Sequence, residues 1–165
     1  MLKRCSLVLV LGLVLAASVS AGDKSATKAA PDMKAMMAEM EKCSVCKPMA
    51  AKMDVLGPVM TSEFVKLNDG MAIMHEISDP QVLPTYRTVM AEMHKNGEAC
   101  MSYTPEQAKT QLCSMCQEMH VLMTSGAHMS MGDTKNGSIM TLTSSDPAVQ
   151  TKISSMQMKC QEMGM

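Results

Sequence analysis

The tetrapeptide Cys43-Ser44-Val45-Cys46 returns as Cys113-Ser114-Met115-Cys116, and the landmarks after it return in the same order. Asn68-Asp69-Gly70-Met71-Ala72-Ile73-Met74 is matched by Lys135-Asn136-Gly137-Ser138-Ile139-Met140, and Ser78-Asp79-Pro80-Gln81-Val82 by Ser145-Asp146-Pro147-Ala148-Val149. The first cysteine precedes the Asp of Asp-Pro by 36 residues in one copy and 33 in the other. Three ordered landmarks at near-equal spacing mark an internal duplication, which restricts the fold to arrangements that pack two like halves together. Unit 1 covers residues 33–100 and unit 2 residues 101–165.

Each unit parses alike. A helix carrying the CxxC is expected over residues 33–56 and again over 105–124. The second has a capping signal, with Thr104 as the cap, Pro105 in the first turn and Gln107 to close the box. Gly57-Pro58 and Gly126 supply stops. Strands are expected at 64–67 and 71–77, and at 128–131 and 138–143. Their connections contain Asp-Gly and Asn-Gly, strong hairpin signals. Ser78 and Ser145 then read as caps of a second helix, with Asp and Pro in its first turn. One hairpin is marginal alone. Two of them predict an α+β fold: duplicated helix-strand-strand-helix units forming a four-stranded antiparallel sheet covered by helices. A homodimer would protect the remaining sheet face or edges.

Ahead of the repeats lies an export signal. Lys3 and Arg4 precede an apolar run at residues 7–15, and Val19-Ser20-Ala21 is a small-residue cleavage site, so residues 1–21 read as a signal peptide. Residues 22–32 are small and polar and read as a disordered leader. The mature chain is expected in the periplasm or outside the cell, with no stable membrane span. Losing Lys3 and Arg4 takes the net charge from −1 to −3. Such a balance, with no tryptophan and 2% aromatic residues, gives no case for nucleic acid or for a stacking platform.

Leu, Val, Ile and Phe make up only about 13% of residues 22–165, a level associated with disorder. The 23 methionines change that. Met is unbranched, favours helix and fills irregular space, so most must be core and only a few are left to act as ligands.

Six cysteines survive signal cleavage: Cys43, Cys46, Cys100, Cys113, Cys116 and Cys160. On a continuous helix, Cys113, Cys116, His120 and Met123 share one face; beside it Ala108, Leu112, Met115, Met119 and Leu122 form an apolar stripe. Unit 1 offers Cys43, Cys46 and Met53, with Ala50 where His120 stands. Thiolate, imidazole and thioether ligands suit Cu(I) or Ag(I), whereas zinc has little use for Met. His75, His94, His120 and His128 each adjoin a methionine. Adjacent residues point apart in regular structure, so the usable spacings are Met90 with His94 and His120 with Met123.

Two other readings of the cysteines stand beside the metal one. Six thiols in an oxidising compartment can form three disulfides, with one Cys of each CxxC tied to Cys100 or Cys160 and the remaining two joined across the units. A thiol-disulfide exchange protein needs its CxxC at a helix N-terminus, and the continuous helix expected here puts Cys113 well inside. No nucleophile elbow, P-loop, dinucleotide fingerprint, HExxH or haem-attachment motif is present, so the chain is not expected to be an enzyme. The best expectation is a small exported protein that sequesters or transfers a soft metal ion. A disulfide-stapled structural or interaction domain comes second.

Overall fold

A computed structural model describes residues 33–162. The expected signal peptide and leader, and the last three residues, lie outside the described residues. The element order is α1 (Met33–Lys42), α2 (Lys47–Ala50), α3 (Met53–Leu56) followed by a 3-10 turn (Gly57–Val59), β1 (Met60–Lys66), β2 (Gly70–Ile77), α4 (Leu83–Cys100), α5 (Pro105–Gln111), α6 (Ser114–Thr124), β3 (His128–Asp133), β4 (Gly137–Thr143) and α7 (Pro147–Glu162).

The four strands form one antiparallel sheet in the order β1-β2-β4-β3. Its register carries the duplication. Gly70 and Gly137 are equivalent in the two units, and so are Glu76 and Thr143; Gly70 pairs with Thr143 and Glu76 with Gly137. Ile73 and Met140, also equivalent, pair with each other at the centre of the β2–β4 ladder. A pseudo-twofold axis therefore passes between them. The hairpins match as well, since Thr61 opposite Glu76 is repeated by His128 opposite Thr143.

Close approach at both ends of the central ladder explains the glycines of the two hairpin turns. A Cβ on Gly70 would lie 1.9 Å from the Leu142 carbonyl oxygen, and one on Gly137 would lie 2.0 Å from that of His75. Leu142 and His75 are themselves twofold mates. Only glycine lets the backbones come this near.

Helices cover one face of the sheet, with α7 over β1, β2 and β4 and α4 against β4. Residues at alternate strand positions, among them Phe64, Met71, Ile73 and Leu142, meet Leu122 of α6 and Val149, Ile153, Met156 and Cys160 of α7. A second cluster packs Met49, Leu56 and Ile77 around the fully buried Tyr86 and Val89 of α4. Met49, Met71 and Met156 are buried, and ten further methionines pack partly buried against the clusters. Methionine does serve as core material here.

The helices differ from the sequence reading in three places. The helix expected over residues 33–56 is three pieces; the first break falls before Pro48, which sits in the first turn of α2, lacks an N–H and would clash with the turn before it. The helix expected over 105–124 breaks between Gln111 and Ser114, which divides the apolar stripe. Ala108 and Leu112 join a cluster of cysteines, while Met115, Met119 and Leu122 face the sheet. Finally, Ser78 and Ser145 do not cap the second helices. Asp146 Oδ1 accepts from Ala148 N–H at the start of α7. In unit 1, Asp79 Oδ1 accepts from Gln81 N–H, but α4 begins only at Leu83, where Pro84 fits the first turn.

Candidate metal centre

The breaks that interrupt the two expected helices are the places where the cysteines lie. Cys43 follows the last turn of α1, and Cys46 caps α2. Cys113 is the N-cap of α6 in extended conformation (φ −67°, ψ 165°), which leaves Cys116 in that helix's first turn. The expectation that Cys113 lies well inside a helix is therefore corrected.

Contacts between the units hold these breaks in place. Ser44 N–H donates to the Gln111 carbonyl at 2.9 Å, so the loop of unit 1 caps the end of α5. Glu39 Oε2, on α1, accepts from Ser114 Oγ at 3.0 Å and from Ser114 N–H at 3.3 Å at the start of α6. This carboxylate does for α6 what a local cap would do. Gln117 Nε2 turns back to donate to the Leu112 carbonyl at 2.8 Å. At the far end of α5 the expected capping box is complete, with Thr104 Oγ1 accepting from Gln107 N–H and Gln107 Oε1 from Thr104 N–H.

The result is a group of four sulfurs. Those of Cys43, Cys46, Cys113 and Cys116 all lie within 4.8 Å of one another. Cys46 Sγ is 3.3 Å from Cys116 Sγ and 3.8 Å from Cys113 Sγ. A tetrahedral ion with metal–sulfur bonds of about 2.3 Å requires sulfur–sulfur edges of about 3.8 Å. The separations suit one ion among four sulfurs. All six described cysteines are free thiols, so the bridges to Cys100 and Cys160 considered from the sequence are absent among them.

Protons are shared unequally within the group. Hydrogen bonds from Cys113, then Cys116 and Cys46, hold the Cys43 thiol far below its ordinary range against the opposing effect of burial. The Cys113 thiol is also lowered, chiefly by Cys116, and the N-terminus of α6 favours negative charge there. Cys46 and Cys116 are pushed up, in both cases first by their contact with Cys113. Proton affinity is thus lowest on Cys43 and Cys113 and highest on Cys46 and Cys116, and a cation would compete with protons there.

Cys43 is 1% exposed, and Cys113 and Cys116 are half-buried. Cys43 and Cys113 also line a surface depression of about 250 Å³ bordered by Glu39, Lys42, Gln111 and Ser114, which gives an ion a path to the sulfurs. The surrounding wall is apolar: Ala108, Leu112 and Cys100 are buried in the same cluster, with Met40, Met93 and Tyr103 packed against it. Burial pushes the Cys100 thiol up, while a hydrogen bond with Tyr103 opposes that.

The remaining candidate ligands lie elsewhere. Met53 packs in the cluster around Tyr86, and Met123 packs against the sheet. His120 is not a member of the four-sulfur group; its Nε2 is buried without a hydrogen-bond partner among the described residues. His94 lies 3.5 Å from Glu98 on the exposed side of α4. His75 on β2, expected at the surface, is half-buried and shares a hydrogen bond through Nδ1 with Ser62 Oγ at 2.9 Å. Sequence reasoning overlooked Glu39 and Ser44, which build the site from a distance. In sequence Glu39 is an ordinary helical acid, and only the pairing of the two units brings Ser114 to it.

No protein-family model, curated protein or solved structure matches this chain.

Proposed function

We propose that this protein binds a soft metal ion, Cu(I) or Ag(I), through Cys43, Cys46, Cys113 and Cys116, and that it sequesters or transfers that ion outside the cytoplasm. The observation that carries the reading is the convergence of two CxxC pairs, one from each unit, into one four-sulfur group. Thiolates are the preferred ligands of monovalent soft ions. The depression lined by Cys43 and Cys113 allows exchange. The export signal in residues 1–21 is part of the same reading. N-terminal sequencing of the secreted chain is expected to begin at Gly22.

Zinc is the second reading, because four sulfurs within 4.8 Å of one another also match a closed tetrahedral Zn(II) site. Anaerobic titration of the reduced protein with Cu(I) against a chromophoric chelator separates the two. The wild-type chain is expected to strip Cu(I) from the chelator, to release any Zn(II) it holds as it does so, and to lose this capacity in C43S and C116S. Retention of Zn(II) against excess Cu(I) would assign the zinc reading. Equal Cu(I) uptake by wild type and both variants would remove the four-sulfur site from the account.

A further inference from the structure

A fifth cysteine stands beside the four. Cys100, the last residue of α4, is 4% exposed and belongs to the same buried cluster as Cys43 and Cys46. It packs in the cluster that holds these sulfurs, yet it is outside the group of four. Around it the cluster holds two thioethers, Met40 and Met93. A tetrahedral divalent ion has no use for this thiol, because four sulfurs already close its shell.

We infer that Cys100 gives the centre room for a second monovalent ion, so that the protein carries a two-ion Cu(I) or Ag(I) thiolate cluster. The inference rests on the four-thiolate reading above. Soft monovalent ions accept three sulfurs, and a thiolate can bridge two ions. Two three-coordinate ions need six metal–sulfur bonds, and five thiolates supply six when one of them bridges. The charge also balances. The second ion replaces the proton of the Cys100 thiol, so that a sulfur–hydrogen bond breaks, a sulfur–metal bond forms and one proton leaves to solvent. The net charge of the buried cluster does not change, so the second ion adds no uncompensated charge to a buried site. Met40 and Met93 add uncharged soft donors to the same wall.

The test is silver stoichiometry by native mass spectrometry on the reduced full chain, in the presence of a competing thiol that keeps silver off exposed methionines. Wild type is expected to hold two Ag(I) ions and one Zn(II) ion in separate titrations. C100S is expected to hold one Ag(I) and still one Zn(II), the zinc count showing that the variant is folded around an intact group of four. Loading with Cu(I) is expected to give the emission of a solvent-shielded polynuclear Cu(I)–thiolate cluster in wild type but not in C100S. Saturation of wild type at one Ag(I), or two Ag(I) ions in both chains, would overturn the role of Cys100 while leaving the four-sulfur site. Failure of C116S to lower either metal count would overturn that site as well.

Discussion

The sulfur of Cys46 lies 3.3 Å from that of Cys116, although the two residues are 70 positions apart and belong to different units. An ion held between them ties the short helices of unit 1 to α6 of unit 2, so its binding energy adds to the stability of the fold. At a free ion concentration about 1,000 times the dissociation constant, that gain is about 4 kcal/mol. C116S is expected to abolish most of this gain while changing the metal-free protein by only about 1 kcal/mol. Thermal unfolding with and without a chelator checks both numbers.

Metal affinity is expected to rise with pH. Contact with Cys113 pushes the Cys46 and Cys116 thiols up, and an ion competes with their protons. Affinity therefore falls as the solution becomes more acidic, with up to two protons released per ion. Competition titrations at several pH values read the slope directly, and a flat profile would show that the sulfurs are already deprotonated.

Gly70 and Gly137 are expected to resist substitution to equal degrees, because each meets a carbonyl oxygen related by the pseudo-twofold axis. G70A and G137A should each cost about 3 kcal/mol, near the upper end of ordinary point substitutions. Gly97 provides the control, since a Cβ there meets nothing within 4 Å; G97A in α4 should be neutral or mildly stabilising. Urea unfolding of the three variants separates these outcomes.

The twofold axis relates backbone but not chemistry. At one end of the central ladder Met71 and Leu142 pair within the apolar core. Their twofold mates are Ser138 and His75, where Ser138 Oγ meets Tyr86 O–H at 2.5 Å and the His75 ring lies edge-on to Tyr86. Burial lowers the His75 pKa below its ordinary 6.5. The unfolded chain then binds the proton more readily, so the stability contributed by neutral His75 is present above pH 6.5 and is lost as pH falls toward the folded value. H75Q, which can keep a bond to Ser62, is expected to weaken this acid sensitivity, measured as the change in urea midpoint between pH 7 and pH 5.

Much of the sheet was legible in the sequence because its signals are local. Asp69-Gly70 and Asn136-Gly137 mark the turns, alternation marks the strands, and the repetition of both marks the pairing of two hairpins. The helix breaks were legible on one side only. Pro48 announces the first, and Pro84 announces the late start of α4. Nothing near Leu112 announces the second, because that break is held by Ser44 and Glu39 from the other unit. The same gap shaped the expected site. A continuous helix aligns Cys113 with His120 and Met123, but once Cys113 becomes a helix cap, its sulfur meets Cys46 while Met123 turns toward the sheet. Spacing along a chain ranks ligands well within one helix and poorly across a break.

X-ray absorption at the zinc edge, on full-length reduced protein loaded with one equivalent of Zn(II), tests the four-sulfur centre most directly. Four sulfur neighbours at about 2.3 Å are the expected result. Nitrogen or oxygen in the first shell, or fewer than four sulfurs, would contradict a centre built from both cysteine pairs.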